Sequence, residues 1–375
     1  MKGNIPPGGT GRQYMTKSII LTGGGSAGHV TPNLALIPRL LREGYDIHYI
    51  GTADGIERDL VEGLKGVTYH AISAGKLRRY ASLKTLAMPF QVLAGIFQAG
   101  RVLRRVKPDV VFSKGGYVSV PVVISAACRA PVVTHESDYT PGLANRINAR
   151  FADKICVTFE DTLNLVGKKG VHTGTPIRPE LYSGDAEKGL GFLGFDGKKP
   201  VLLIMGGSLG AQAINDAVRA ALDKLLVSFD IVHLCGSGKL NASITAAGYR
   251  QYEYIKEELP DLFAAADVMV SRAGANAVFE FLALAKPALL IPLPADNVSR
   301  GDQILNAGYF SRKGYSMVLE QKELTPQTLL DNVSDLYDRR LSFISRMSGD
   351  PLTDGTDEVL SVIREAAKSN KRKNR

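Results

Sequence analysis

Cysteine is scarce in this chain of 375 residues: Cys128, Cys156 and Cys235 are far apart and odd in number. That spacing supports neither a disulfide framework nor a thiolate metal cluster, and it is the pattern of a reducing compartment. The chain also lacks an uninterrupted apolar run of about 18 residues, so a spanning helix is not expected. The first fourteen residues are rich in Gly and Pro and match neither a signal peptide nor a strand. A strand pattern starts only after Met15, which is therefore expected to be the natural start, with residues 1–14 disordered or an artefact of gene calling. Missing too is an acidic residue at the tip of the second predicted strand, Ile47-His-Tyr-Ile-Gly-Thr52, the nearest being Asp54. A dinucleotide-binding hydride enzyme would use such an acid to hold a ribose diol.

What is present is ordinary globular composition, 45% hydrophobic and 22% charged, with a formal net charge of +9. The excess of cations favours anionic partners such as phosphates, nucleic acid or an acidic membrane surface, although solubility alone also accounts for it. The length predicts two domains. From Ser18 to Val157 short β-branched runs alternate with helical patterns, and the alternation restarts at Val201 after Gly174-Thr-Pro-Ile-Arg-Pro179, a proline-rich crossing. Alternation of this kind predicts two doubly wound parallel sheets with helices on both faces, their ligands gathered beyond the carboxyl ends of the strands. The expected domains are 15–172 and 173–345, with a final helix at 355–368 returning to the first domain and residues 369–375 as a disordered basic tail. Within the second half, the pattern predicts a helix over Asn241–Ala247 and a strand over Tyr252–Ile255.

Two glycine loops follow apolar strands. The first, Gly23-Gly-Gly-Ser-Ala-Gly28, runs into His29, and the second is Gly206-Gly-Ser-Leu-Gly210. The second opens a helix, so its amides and the helix N-terminus can receive a diphosphate, with Ser208 adding a hydroxyl beside Gly207 and Gly210. His29 has no evident use in hydride transfer, but an imidazole at a cleft edge suits a general base for an acceptor hydroxyl. A structural histidine is the alternative. Farther on, Ser271-Arg-Ala-Gly274 turns into a helix carrying Glu280, placed to chelate a ribose diol, while Arg272 serves either the phosphates or the structure. In the first half, Lys114-Gly-Gly-Tyr117 and Thr134-His-Glu-Ser-Asp138 concentrate polar side chains at strand tips and read as an acceptor rim. His135 and Glu136 find no third partner at a metal-ligand spacing. Finally, Leu86–Phe97 is apolar and bracketed by Lys76-Leu-Arg-Arg79 and by Arg101, Arg104, Arg105 and Lys107. Such a segment can lie in an anionic bilayer interface, or it can be a buried helix with solvated ends.

In this order the motifs Gly23–Pro32, Lys114–Tyr117, His135–Asn145, Gly174–Arg178, Gly206–Ala211 and Ser271–Ala275 with Glu280 resemble the bacterial MurG family of glycosyltransferases. The resemblance spans nearly the whole chain from Met15. It implies an α/β GT-B fold, two Rossmann-like domains facing a cleft, with UDP-N-acetylglucosamine on the second domain. Undecaprenyl-diphospho-muramoyl-pentapeptide (lipid I) would sit on the first, at the cytoplasmic face of the membrane, where the protein would be peripheral. The implied chemistry is an inverting, cofactor-free hexosyl transfer yielding lipid II for peptidoglycan, with no nucleic acid partner and a possible place in a cell-wall synthesis complex. His29 would be the catalytic base. Arg178, Gly207, Ser208, Gly210, Arg272, Glu280 and Gln303 would serve the donor, and Gly28, Tyr117, Glu136 and Asp138 the acceptor. Asp138 stands where many relatives carry an amide, and Arg300-Gly-Asp-Gln303 offers one glutamine where relatives often show two. The rival readings are a GT-B transferase acting on another lipid acceptor, a catalytically silent nucleotide-sugar scaffold, and the disfavoured dehydrogenase.

Overall fold

The computed structural model describes residues 17–75, 88–207, 210–295 and 300–373. The expectations for residues 1–14, for Lys76–Arg79 and for Ser208 lie outside these residues.

The apolar, β-branched runs form parallel strands because both faces of each are covered. In the first half these are β1 (Lys17–Thr22), β2 (Tyr45–Gly51), β3 (Val67–Ala71), β4 (Val110–Ser113), β5 (Val132–Glu136), β6 (Lys154–Val157) and β7 (Gly170–His172). They make a seven-stranded sheet in the order β3-β2-β1-β4-β5-β6-β7. In the second half β8 (Val201–Met205), β9 (Asp230–Leu234), β10 (Tyr249–Tyr252), β11 (Val268–Ser271), β12 (Ala288–Leu290) and β13 (Ser316–Val318) are ordered β10-β9-β8-β11-β12-β13. The order reverses beside β1 and β4 in one sheet and beside β8 and β11 in the other. Those reversals splay the following loops apart and open a crevice at the strands' carboxyl ends. Both glycine loops stand there, after β1 and β8.

Each face of the first sheet buries its own cluster. Ile20, Ile50, Val111 and Val157 pack with Ala99 and Leu103 of helix Met88–Val106. On the other face Ile19, Leu21 and Tyr49 meet Leu36 and Leu40 of helix Thr31–Arg42 and Val359, Leu360 and Ile363 of the last helix, Thr356–Lys373. Burying each of those three side chains contributes on the order of 1.5–3 kcal/mol. The helix is further pinned by Arg364–Glu43 at 2.6 Å and by Arg39–Asp357. It runs to Lys373, so the basic tail expected to lack structure from residue 369 is helical for its first part.

Three further departures from the expected pattern have local causes. Asn241–Ala247 forms turns rather than a helix: the Asn241 carboxamide oxygen accepts from Ser243 N at 3.2 Å and Ser243 Oγ at 2.7 Å, a local closure that competes with helical hydrogen bonding. The adjoining strand falls at Tyr249–Tyr252, three residues earlier than expected, in parallel register with β9. An unforeseen helix, Ala186–Leu193, starts where the Asp185 carboxylate caps the amides of Glu187 and Lys188 and stops at Gly194 in the left-handed region.

Candidate active site

The two glycine loops differ in what already occupies them. After β1, the Gly25 amide donates to Glu57 Oε2 at 3.1 Å, and the other Glu57 oxygen accepts from the Thr52 amide at 3.0 Å and from the Thr52 hydroxyl. Glu57 is completely buried. A loop whose amide is taken by an internal carboxylate is a poor phosphate cradle, through occupancy and through charge. Gly25 adopts φ +85°, and the Tyr117 ring lies where its side chain would be, so Tyr117 covers the first loop.

The second loop is built differently. A side chain on Gly207 (φ +85°) would meet nothing among the described residues, whereas one on Gly210 (φ +66°) would overlap the carbonyl oxygen of Cys235. That carbonyl is held by Asn215 Nδ2 at 2.9 Å. The loop leads into helix Gln212–Ser228, whose N-terminus favours anions. Lys239 Nζ donates to Gly210 O at 3.2 Å and places a cation beside it.

Arg178 and Glu280 are joined, Nε to Oε1, at 3.0 Å, with side-chain exposures of 23% and 10%. Burial pushes the Glu280 carboxyl up against the opposing pull of Arg178. Two residues 102 positions apart, both expected on the donor side, are thus one unit. Arg272 is placed differently. Its guanidinium donates to Ile291 O at 3.0 Å, Pro292 O at 3.2 Å and Gln321 Oε1 at 2.6 Å, so it clamps the end of β12, and the structural alternative describes it. Gln303 Oε1 accepts from Ala273 N at 3.2 Å and Leu293 N at 3.0 Å, which fixes the orientation of the amide.

On the first domain His29 is half-buried, and its Nδ1 has no hydrogen-bond partner among the described residues. Burial, and then the Lys114 ammonium, lower its pKa to about 4, so the ring is neutral near pH 7. Lys114 is itself buried, and burial lowers it to about 8 while Glu136 and Asp138 draw it back up. Its Nζ donates to Ser137 Oγ, which donates to Asn276 Oδ1 at 3.3 Å, and Asn276 Nδ2 donates to Gly28 O at 3.0 Å. This circuit ties the acceptor-side loop to the second domain one residue before His29.

Glu136 is only 4% exposed, and its carboxylate receives Asp138 N at 3.0 Å, Gly142 N at 3.0 Å and Asn145 Nδ2 at 2.9 Å. Its direct work is to fold the 137–142 loop rather than to present an open rim. Asp138 Oδ1 accepts from Asn306 Nδ2 at 3.2 Å, Tyr139 N donates to Asn306 Oδ1 at 3.1 Å, and Thr140 Oγ1 donates to Asp302 Oδ1 at 2.9 Å. Asp138 therefore acts as the acceptor that an amide oxygen could also provide, and these bonds form the seam between the domains. Glu57, Lys239, Asn276 and Asn306 were not singled out from sequence. Lys114 was expected only as part of the polar acceptor rim at a strand tip. No group of three or more His, Cys, Asp or Glu among the described residues is arranged to hold a metal ion.

Two Rossmann-like parallel sheets of seven and six strands, each with a glycine loop after a central strand, define a GT-B glycosyltransferase. The chain belongs to glycosyltransferase family 28: residues 19–157 match its N-terminal domain and residues 201–359 its C-terminal domain. It is 51% identical over 352 residues to the "UDP-N-acetylglucosamine--N-acetylmuramyl-(pentapeptide) pyrophosphoryl-undecaprenol N-acetylglucosamine transferase" of Clostridium tetani, covering 93% of this chain and 98% of that one. The protein of the same name from Lachnospira eligens is 53% identical over 355 residues, covering 94% and 100%. Among solved structures, Acinetobacter baumannii MurG superposes with a TM-score of 0.73 at 26% identity, covering 93% of this chain and 99% of that one. The glycosyltransferase of kitacinnamycin shares the fold at a TM-score of 0.71 and 15% identity, covering 95% and 98%.

Proposed function

We propose that this protein transfers N-acetylglucosamine from UDP-GlcNAc to the C4 hydroxyl of undecaprenyl-diphospho-MurNAc-pentapeptide, forming lipid II with inversion at the anomeric carbon. The observation that carries the reading is the asymmetry of the loops: an amide of one is taken by Glu57, whereas the other leads into a helix N-terminus with Lys239 beside it. In the transfer the acceptor O4 attacks the sugar C1, the C1–O bond to the diphosphate breaks, and UDP departs. The amides of the second loop and the helix behind it meet the charge that develops on the leaving group. The proton of the attacking hydroxyl goes to neutral His29, whose basicity rises when a diphosphate shares the cleft. Arg178 and Glu280 hold the donor, the carboxylate on the ribose and the guanidinium toward the diphosphate, while Gln303 offers its NH2 group to the sugar hydroxyls.

The acceptor's lipid directs attention to helix Met88–Val106. Phe90, Leu93 and Phe97 are 74%, 53% and 74% exposed, and Arg101 and Arg104 continue the same stripe. The buried-helix alternative does not describe this face. Among the described residues no helix is long and apolar enough to cross a membrane. The stripe is suited to lying in an anionic interface at the cytoplasmic side, the apolar rings in the acyl boundary and the arginines at the headgroups.

Incubation with UDP-GlcNAc and a lipid I analogue tests the reaction: a β-1,4 disaccharide and stoichiometric UDP are expected. Binding of UDP-GlcNAc without any disaccharide would refute the acceptor assignment.

A further inference from the structure

A cavity of about 500 Å³ lies wholly in the first domain, between helix Leu143–Phe151 and the segment Leu163–Lys169. Its volume is within the range of small-ligand sites. Its lining includes Glu136 and Thr140, and Thr140 belongs to the seam described above, so the cavity adjoins that seam on the β5–β6 side. Its wall includes the aliphatic side chains of Ile155 and Leu165, and its charged members beyond Glu136 are the cations Arg146 and Lys169. Arg146 forms no salt bridge with any described residue, and Lys169 is held at the rim by donating to Ala149 O at 3.2 Å. Glu136 adds little repulsion for an entering anion, since three N–H groups converge on its carboxylate.

The chemistry of the acceptor proposed above says what could fill such a cavity. On a muramoyl ring the nucleophilic C4 hydroxyl neighbours C3, which bears the lactyl group to which the peptide is joined, whereas the diphosphate leaves from C1 across the ring. The peptide therefore starts beside the reacting atom and must leave the cleft away from the lipid. Joined through its N-terminus, it ends in a free carboxylate, and five extended residues reach at most roughly 17 Å. A cavity adjoining the seam, with aliphatic walls and two cations, is complementary to that stem.

We propose that this cavity seats the peptide stem of the acceptor and that Arg146 and Lys169 are specificity-determining residues reading its carboxylate. The proposal rests on the lipid-linked muramoyl acceptor reading. Both side chains are exposed, so replacing them leaves the core untouched.

The test is steady-state kinetics of the full-length R146Q/K169Q double variant with two short-lipid acceptor analogues, one with the complete pentapeptide and one ending at the lactyl amide. The KM for the pentapeptide acceptor is expected to rise about tenfold, while the KM for the peptide-free acceptor moves less than about twofold. The KM for UDP-GlcNAc is expected to stay unchanged. Equal changes for both acceptors, or none for either, would overturn the proposal. So would a matching loss of binding to phosphatidylglycerol vesicles, which would mark the two cations as readers of lipid phosphate. Absence of transfer by the wild-type enzyme to either acceptor would instead bring down the acceptor reading, and this proposal with it.

Discussion

Glu280 can be tested for what it touches, because the structure gives it two possible jobs. It is 7% exposed and bonded to Arg178 at 3.0 Å, so it could hold the uridine ribose itself or merely orient the guanidinium toward the diphosphate. Glu280→Gln keeps the shape and one acceptor oxygen while removing the charge. A hydrogen bond to an ionised group contributes about 1.5–3 kcal/mol against about 1 for a neutral one, so the charge on the ribose bond is worth on the order of 1–2 kcal/mol. UDP affinity, measured by calorimetry, should therefore fall about 5–30-fold. The same measurement with 2′,3′-dideoxy-UDP separates the two jobs: a ribose ligand predicts less than about a twofold effect, because the partner hydroxyls are already gone. An equal loss for both nucleotides would refute the ribose role and leave Glu280 as the counter-ion of Arg178. A parallel thermal melt shows whether the unpaired guanidinium, 23% exposed, has loosened the domain.

Three more outcomes are expected. Gly207→Ala should cost only about 1–2 kcal/mol of left-handed backbone strain, measured by denaturant unfolding, while Gly210→Ala should also cut UDP affinity at least about tenfold, because its Cβ would run into the Cys235 carbonyl; equal effects would contradict the loop geometry. If neutral His29, with a pKa of about 4, is the base, kcat/KM should hold on the acid side until that region, and Lys114→Met, by removing a cation that disfavours the protonated ring, should move the acid limb to higher pH; an unmoved limb would free His29 from Lys114. His233, lowered from 6.5 to about 3 by burial and then by Arg219, refuses a proton that the unfolded chain accepts between those values. Its contribution to stability is therefore full above the upper value and is lost as pH falls, with a slope of up to about 1.4 kcal/mol per pH unit. His233→Gln should flatten that slope in pH-dependent unfolding, and an unchanged slope would count against the assignment.

The parallel sheets were legible because strands buried on both faces are largely apolar, as in Val201–Met205 and Val268–Ser271, and the second sheet begins at Val201, where the alternation was expected to restart. Where the pattern misled, the deciding bonds were between side chain and backbone. Asn241 closes a turn in a stretch with helical periodicity, and Asp185 starts a helix in a stretch rich in glycine. The edge strand Gly170–His172 was passed over because it is too short to show a period, yet it pairs along β6 in register.

The site was legible in its motifs and opaque in its wiring. A glycine loop announces itself locally, but whether it can take a phosphate depends on a carboxylate that arrives from elsewhere in the chain. Glu57 lies on the helix after β2, beyond the strand tip and three residues past Asp54. Had a carboxylate stood at that tip, the first loop would have read as a nucleotide site. Turned inward from Glu57 instead, the charge takes up an amide of the loop and opposes a phosphate there. The same reasoning demotes Arg272, whose guanidinium is consumed by two carbonyls and Gln321, and promotes Asn276, whose amide bridges Ser137 and Gly28 from the opposite domain. A residue type shows what a side chain can bind, and only the bonds it has already made show what it has left to offer. On that criterion the loop after β8 is the better candidate for the donor proposed above, and the proposed acceptor side at His29 is tied to the second domain through a seam held by Asn276 and Asn306.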